Sequence, residues 1–322
     1  MRFTTAATIA VLFSGFAAAQ SFAAYTFTTI NVSGATNTIA SGINNAGQIV
    51  GHYNDSSGVH AFIDTSGVIT SFDVPGAIAT YAYGINNIGQ ISGSYIDATG
   101  THGFVDTGGV FSTFNVPGVA GATTAQKIND SGVVTGFFND GTGSHGFQLA
   151  GATFTTINVP GGLAGSTLAF GINNAGVIVG EYNNSTTNRG FSDAGGVFST
   201  FAVTGTTNQA GQAINTAGQI AGYYYTDNAG TGGGHGFVDI GGVFTTINDP
   251  LALASTSFGT FVYGINDTGV LVGEFRNLTG NHGFVTNAQI VLPPPTGVPE
   301  PASLALLGSG LIGLRLSRRR HA

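Results

Sequence analysis

The chain has 322 residues, no cysteine and 7% charged residues, with a formal net charge of −7. Without cysteine there is no disulfide framework, so burial and strand pairing must stabilise the fold. Five of the eight basic residues lie close to the two ends. Residues 25–297 therefore keep three basic and fourteen acidic side chains, a net charge of −11. Nucleic-acid binding needs clustered Lys and Arg, so nucleic acid is not expected as a partner.

The N-terminal residues predict export. Arg2 is a minimal positive region, residues 6–16 are apolar, and 17–19 form an Ala-x-Ala cleavage site, with a second site at 21–23. This pattern is typical of a secretory signal peptide over residues 1–24, cleaved near 19 or 23. The Sec translocon is then the expected partner during export. A core helix is the alternative interpretation.

Residues 25–292 consist of six copies of a unit of about 43 residues, a period typical of repeat architectures. A Gly-Ile-Asn motif, or a variant of it, places its isoleucine at positions 43, 85, 128, 172, 214 and 265. A second motif, His-(Gly/Ala)-Phe, ends at Phe62, Phe104, Phe147, Phe191, Phe237 and Phe284. Through His60-Ala61-Phe62, the units resemble the HAF family of extracellular repeats. That resemblance implies an extracellular location but no particular activity.

Each unit predicts four short strands, here called a, b, c and d. In the second unit these are residues 80–86, 90–95, 102–107 and 110–116, separated by glycine-containing turns. Gly108-Gly109 and its equivalents are signals for type I′ hairpins. No apolar pattern of helical period persists between residues 25 and 292. Four antiparallel strands in a unit of this length are typical of a β-propeller blade.

The two ends of the array favour a closed ring. The last unit lacks a good fourth strand, because residues 287–292 break the glycine turn and run into Pro293. An extra strand at 25–32 precedes the first unit and closely matches 243–248. We therefore predict an all-β, six-bladed β-propeller in which the N-terminal strand completes the last blade and removes an open edge. A linear β-solenoid is the alternative.

In that architecture strand a lines the central channel. One strand-a position varies between units: Ser41, Tyr83, Gln126, Phe170, Gln212 and Tyr263. Variation at a fixed repeat position suggests a binding surface, and packing adjustment is the alternative. The longer segments at 223–234 and 249–259 are the first places to expect a ligand.

Five recurrent histidines are candidate metal ligands: His60, His102, His145, His235 and His282. Zinc needs ligands within about 2.1 Å of one ion, whereas equivalent positions on separate blades point apart. Arg189 also replaces the sixth histidine. We therefore predict a structural role for these rings and for the following phenylalanines, with each ring packed between blades and bonded to the backbone. His52 is interpreted as an incidental strand residue, and metal binding is the alternative for the repeated set.

No cofactor and no catalytic residue is predicted. The loops at 44–47, 129–132 and 266–269 are rich in oxygen, but each has at most one carboxylate, and calcium prefers several. Turn chemistry explains these loops, with calcium as the alternative. The sequence has no Gly-x-Ser-x-Gly elbow and no His-Glu-x-x-His motif. Glu181 and Glu274, which both follow a Val-Gly pair, are the candidate carboxylates if the protein cleaves glycosidic bonds.

The C-terminus predicts a sorting signal. A proline-rich linker at 293–297 precedes Val298-Pro299-Glu300-Pro301, an apolar stretch at 302–316, and Arg318-Arg319-Arg320. The apolar stretch predicts a short transmembrane helix of about 22 Å, shorter than the roughly 30 Å hydrocarbon core. Residues 298–322 resemble the PEP-CTERM sorting signal of Gram-negative bacteria. The resemblance implies processing by an exosortase, a transient inner-membrane tether, and a final extracellular or cell-surface location.

Two functional hypotheses follow. The first is a non-enzymatic binding or structural scaffold of the cell surface or biofilm matrix, with extracellular polysaccharide or surface proteins as partners. The second is a hydrolase or lyase that acts on exopolysaccharide in the propeller mouth. Regular repeats and the lack of a catalytic motif favour the first hypothesis.

Overall fold

The computed structural model describes residues 25–120, 122–206, 208–226, 233–253 and 258–287. These residues form twenty-four β-strands and no helix, so the predicted all-β class is confirmed. The predicted signal peptide, linker, transmembrane helix and sorting signal lie outside the described residues. Within the described part of the chain, no helix is long and apolar enough to cross a membrane.

The strands follow one another at short intervals, with four to eight residues each. In chain order they are β1 (Phe27–Ile30), β2 (Asn37–Ile43), β3 (Ile49–Asn54), β4 (Val59–Thr65), β5 (Val68–Phe72), β6 (Ala79–Ile85), β7 (Gln90–Asp97), β8 (Gly100–Thr107), β9 (Val110–Phe114), β10 (Thr123–Ile128), β11 (Val134–Asn139), β12 (Ser144–Ala150), β13 (Thr153–Ile157), β14 (Leu168–Ile172), β15 (Val177–Asn183), β16 (Asn188–Ala194), β17 (Val197–Phe201), β18 (Asn208–Ile214), β19 (Ile220–Tyr225), β20 (Gly234–Ile240), β21 (Val243–Ile247), β22 (Gly259–Ile265), β23 (Leu271–Asn277) and β24 (Gly280–Thr286).

The strands pair in antiparallel sets of four, giving a propeller-like β structure. Units 1 to 5 are β2–β5, β6–β9, β10–β13, β14–β17 and β18–β21, each paired in chain order. In unit 6, β22, β23 and β24 pair in the same way, and β1 pairs with β24 from Phe27↔Thr286 to Ile30↔Gly283. The N-terminal strand thus occupies the strand-d position of the last unit.

Each unit has two distinct ends. The tight a–b and c–d turns lie at one end, called here the turn end. The longer b–c and d–a loops lie at the other, called the loop end. At the turn end, Gly108 and Gly109 have φ values of 63° and 88°, which match the type I′ hairpin expected from the glycine pair.

The apolar core is divided among neighbouring units. The six phenylalanines of the His-(Gly/Ala)-Phe motif have no exposed surface, and each ring packs beside a strand-b glycine of its own unit. One representative cluster joins Ile157 and Val159 of unit 3 to Ala169, Ile178 and Phe191 of unit 4. Side chains of adjacent units therefore interdigitate, and no unit buries its apolar face alone.

A chain of buried asparagine hydrogen bonds connects the units at the turn end. The side-chain Nδ2 of each Gly-Ile-Asn asparagine donates to the backbone oxygen of the equivalent asparagine in the next unit, at 3.0 to 3.2 Å. The chain runs through Asn44, Asn86, Asn129, Asn173, Asn215 and Asn266, and then returns to Asn44. In each unit the asparagine Oδ1 also accepts a backbone N–H four residues later, for example that of Gln90. This arrangement satisfies buried polar groups that would otherwise be costly.

Candidate functional site

The candidate site is built on a bulge in strand a. In every unit the a–b register shifts at one place, for example between Ala82 and Gly84 in unit 2. A bulge inserts an extra residue and re-aims its side chain. Each shift contains the variable strand-a residue noted in the sequence, for example Tyr83 in unit 2 and Tyr263 in unit 6, and the shift in unit 3 also contains Lys127.

A second variable position lies on strand b, directly after the buried glycine. Side chains at these two positions meet between neighbouring units: the ring centroids of His52 and Tyr83 are 5.9 Å apart, and those of Tyr223 and Tyr263 are 6.2 Å apart. We call the twelve residues at these positions the mouth ring. In order around the units they are Ser41, His52, Tyr83, Ser94, Gln126, Phe137, Phe170, Glu181, Gln212, Tyr223, Tyr263 and Glu274.

Aromatic pairs and polar pairs alternate around the mouth ring. Three pairs are aromatic, namely His52/Tyr83, Phe137/Phe170 (6.2 Å between centroids) and Tyr223/Tyr263. The three pairs between them are polar, namely Ser94/Gln126, Glu181/Gln212 and Glu274/Ser41. Such a mixture of aromatic faces with a few polar groups is typical of a small-ligand site.

His52, predicted to be incidental, is part of this ring. It is buried, its ring also lies edge-on to Tyr81 at 5.0 Å, and its Nδ1 has no hydrogen-bond partner among the described residues. Burial lowers the pKa of His52 to about 4, so the imidazole is neutral at physiological pH. His52 directly follows a strand-b glycine, as Glu181 and Tyr223 do in their units. This position in the repeat is the sequence signal that could have assigned His52 to the ring.

Glu274 is a buried carboxylate that is neutralised within its own unit. It is 1% exposed, and its Oε1 accepts hydrogen bonds from Tyr263 Oη at 2.8 Å and from Arg276 Nη2 at 2.6 Å. The Arg276 guanidinium carbon lies 4.3 Å from the centre of the Phe261 ring. Burial disfavours the charged form of Arg276 and by itself would lower its pKa. The neighbouring Glu274 carboxylate favours the charged form more strongly, so the pKa of Arg276 is raised. Glu274 Oε2 has no hydrogen-bond partner in the described structure.

Glu181 is the second carboxylate of the mouth ring and lies in a different environment. It is half-buried, and its carboxylate makes no hydrogen bond to any described residue. Burial raises the pKa of Glu181 to about 7. Burial raises the pKa of Tyr223 and of Tyr225, the Glu181 and Glu274 charges raise both further, and the Arg276 charge lowers both. Glu181 and Glu274 therefore act on the same two tyrosines.

A lysine lies just below the mouth ring. Lys127, the sole lysine of the sequence, occupies the position held by Gly42, Gly84, Gly171, Ala213 and Gly264 in the other units. Its Nζ donates to the backbone oxygens of Ser41 and Tyr83, both at 2.6 Å. The side chain lines a cavity enclosed by the six isoleucines of the Gly-Ile-Asn motifs. Enclosure in this channel lowers the pKa of Lys127 to about 7 because it disfavours the charged form.

Replacing Lys127 with methionine is expected to stabilise the protein at pH 6, with an advantage that disappears towards pH 10. The folded-state pKa of about 7 lies below the ordinary value of 10.5, so the unfolded chain binds this proton more tightly. The loss of folding stability caused by Lys127 is therefore complete below pH 7 and vanishes as the pH rises through 10.5. Thermal melts of the variant and the unaltered protein from pH 6 to 10 measure this difference in stability. A constant difference in melting temperature would contradict the assignment.

The repeated histidines lie away from the mouth ring, on strand c. In five units the histidine Nδ1 pairs with a carboxylate or amide oxygen after strand d, for example Asn115 Oδ1 at 2.8 Å from His102. The other ring nitrogen of His102 faces Thr99 Oγ1 at 2.8 Å. These partners are side chains, whereas the sequence suggested the backbone. In four units the partner follows the histidine by thirteen residues, and where Arg189 replaces histidine that position holds Ala202.

The asparagine-rich loops use their oxygens within the protein. Asn45 N–H donates to Asn87 Oδ1, Asn87 N–H to Asp130 Oδ1, and Asp130 N–H to Asn174 Oδ1, all at 2.8 to 2.9 Å. Among residues with described positions, no three His, Asp or Glu side chains cluster as ligands for one metal ion.

A group of buried aspartates was not identified from the sequence. Four aspartates accept, through Oδ1, a hydrogen bond of 2.6 to 2.7 Å from the backbone N–H of the glycine in the second position of the c–d turn. They are Asp64, Asp106, Asp193 and Asp239. Their constant spacing of three residues before that glycine is the available signal. They cap the c–d turns at the turn end.

Comparison with known proteins identifies the C-terminal segment. The sequence model of the PEP-CTERM protein-sorting motif matches residues 297–320. Residues 297–320 are a PEP-CTERM sorting motif. The motif implies exosortase-dependent export, with an exosortase as processing partner and a membrane-anchored sorting intermediate. No curated protein matches the chain.

Solved structures similar to the chain are distant. A gluconolactonase from Xanthomonas campestris has 10% identity and a TM-score of 0.45, covering 78% of this chain and 87% of that chain. A calcium-binding regucalcin from Agrobacterium tumefaciens has 13% identity and a TM-score of 0.48, covering 83% and 94%. A bat influenza N10 neuraminidase-like protein has 10% identity and a TM-score of 0.48, covering 81% and 98%. Likenesses at this level carry no argument about activity.

Proposed function

We propose that this protein is an exported, non-enzymatic glycan-binding scaffold of the cell surface or extracellular matrix. Its body would be a closed six-bladed propeller over residues 25–292, between a signal peptide at 1–24 and a linker at 293–297 that leads to the sorting signal at 298–322. The asparagine hydrogen bonds that return from Asn266 to Asn44, and the pairing of β1 with β24, support closure. The HAF-like histidines and phenylalanines would be structural.

The observation that carries the binding proposal is the mouth ring. The symmetry of the units breaks at this ring, where three aromatic pairs alternate with three polar pairs. The apolar faces of sugar rings stack on aromatic rings, while hydroxyl groups need polar partners nearby. Tyr81, whose ring lies parallel to that of Tyr83 within 5° at 6.1 Å, extends one aromatic pair. Extracellular polysaccharide is accordingly the proposed partner.

The Tyr81→Ala variant tests this proposal. Removing the ring that extends the His52/Tyr83 pair is expected to weaken polysaccharide binding by about tenfold. Glycan-array binding followed by titration calorimetry on the full chain measures the change. The control is Ile88→Ala, an exposed side chain at the turn end, which should bind as the unaltered protein does. Equal binding by all three proteins, or no glycan binding at all, would overturn the proposal.

The second candidate is a hydrolase or lyase acting on exopolysaccharide. Glu181 favours it, because an unpartnered carboxyl group with a pKa of about 7 has the protonation behaviour of a general acid. Release of reducing ends or unsaturated ends from a bound polysaccharide would establish this activity and remove the scaffold proposal. The Glu181→Gln variant would then have to abolish the release.

A further inference from the structure

Units 5 and 6 depart from the repeat at a second position on strand b, two residues after the mouth-ring residue. In units 1 to 4 this position holds an asparagine or an isoleucine, namely Asn54, Ile96, Asn139 and Asn183. Unit 5 has Tyr225 there, and unit 6 has Arg276. Side chains two residues apart on a strand point to the same face of the sheet. Tyr225 and Arg276 therefore lie on the same face as the mouth-ring residues of their strands.

The two side chains belong to one aromatic group that joins units 5 and 6. The ring centroid of Tyr223 lies 5.9 Å from that of Tyr225 and 5.2 Å from that of Phe261, and the last two are 6.0 Å apart. The Arg276 guanidinium carbon lies over the same Phe261 ring. Phe261 is buried, whereas Tyr223, Tyr225 and Arg276 are partly exposed. Two phenol rings and a guanidinium thus surround a fixed aromatic base and remain accessible.

The ion pair beside these rings leaves two polar groups without partners. Arg276 Nε and Nη2 both donate to Glu274 Oε1, at 3.1 and 2.6 Å, and Tyr263 Oη donates to the same oxygen. The Arg276 side chain is 31% exposed, and its Nη1 donates to no described residue. Glu274 Oε2 is buried and accepts from none of the described residues. A buried acceptor without a donor is rare in folded proteins, so a donor from a ligand is its expected partner.

We infer that units 5 and 6 form the sugar-binding subsite, in which a neutral hexose packs against the Tyr223 and Tyr225 rings beside the ion pair. A sugar hydroxyl both donates and accepts hydrogen bonds, so neighbouring hydroxyls of one ring match Glu274 Oε2 and Arg276 Nη1 together. A uronic acid would bring a second carboxylate close to Glu274, in a body of net charge −11. The inference rests on the proposed glycan binding and specifies its subsite and sugar class.

Tyr225→Ala is the decisive variant, because it removes a partly exposed ring and leaves the ion pair in place. Calorimetry at pH 7 on the full chain compares tetramers of glucose, galactose and mannose with a galacturonic acid tetramer. At least one neutral tetramer should bind about tenfold more tightly than the acidic one, and Tyr225→Ala should weaken that binding by about tenfold. Arg276→Lys keeps a positive charge beside Glu274 but lacks the second planar nitrogen, and should weaken it similarly.

Asn139→Ala is the matched control, because Asn139 holds in unit 3 the position of Tyr225. It should bind the neutral tetramer as the unaltered protein does, and thermal melts check that each variant is folded. If a neutral tetramer binds and Tyr225→Ala keeps the affinity, the subsite inference is wrong while glycan binding stands. Equally tight binding of the acidic tetramer would show that the sugar class is wrong. If no tetramer binds, both proposals fail.

Discussion

Replacing Gly136 with alanine is expected to prevent stable folding. A Cβ atom at this position would overlap the backbone oxygen of Thr124 and lie 2.8 Å from the Phe147 ring. The oxygen belongs to the neighbouring strand and cannot move without breaking the sheet, and the phenylalanine is fully buried. We expect a loss of about 4 kcal/mol or more, a large part of the 5 to 15 kcal/mol that is typical of a folded domain.

Gly151→Ala in the same unit provides the control. Gly151 has a φ of 60°, and a Cβ there meets no atom within 4 Å, so its replacement should cost only about 1 kcal/mol of backbone strain. Urea unfolding followed by circular dichroism compares the three proteins. Similar midpoints for the two variants would show that the close approach of strand b to the phenylalanine is not a packing constraint.

Replacing Arg276 with methionine is expected to destabilise the protein by about 3 to 5 kcal/mol at pH 7. The Glu274 side chain is 1% exposed in the unaltered protein. After the substitution its carboxylate would stay buried with Tyr263 as its single hydrogen-bond donor. Removing one partner of a buried ion pair is far more costly than removing both.

The double variant Arg276→Met with Glu274→Gln separates charge from packing. It should recover most of the stability at pH 7, since it leaves no unpaired charge. Urea titrations at pH 7 compare the two variants with the unaltered protein. A double variant no more stable than the single one would show that the contact between Arg276 and Phe261, not the ion pair, provides the stability.

The strands could be predicted because their signals are local. In unit 2 the ends of the predicted strands at 80–86, 90–95, 102–107 and 110–116 agree with those of β6 to β9 to within two residues. Strand β9 ends at Phe114, two residues before the predicted end. The reason is that the Asn115 side chain pairs with His102 and the Val116 N–H donates to Thr123 Oγ1. Alternating side chains and glycine turns encode such elements, whereas side-chain hydrogen bonds decide their ends.

The mouth ring could be predicted only in part. The variable strand-a residues and the two glutamates were visible as departures from the repeat. A one-residue bulge cannot be recognised from the repeat pattern, and without it the side chain of Tyr263 cannot be placed beside Glu274. The contact between His52 and Tyr83 depends in addition on how adjacent units pack. Contacts between units are not encoded in the period of a single unit.

The pairing of β1 with β24 has a geometric consequence for the anchored protein. Thr26 and Asn287 exchange hydrogen bonds of 2.9 and 3.1 Å, so the two segments that leave the described body depart side by side from the turn end. The sorting motif continues from the second of these segments. A body held at a bilayer through its C-terminal segment would therefore turn its turn end to the lipid surface and its loop end away from it.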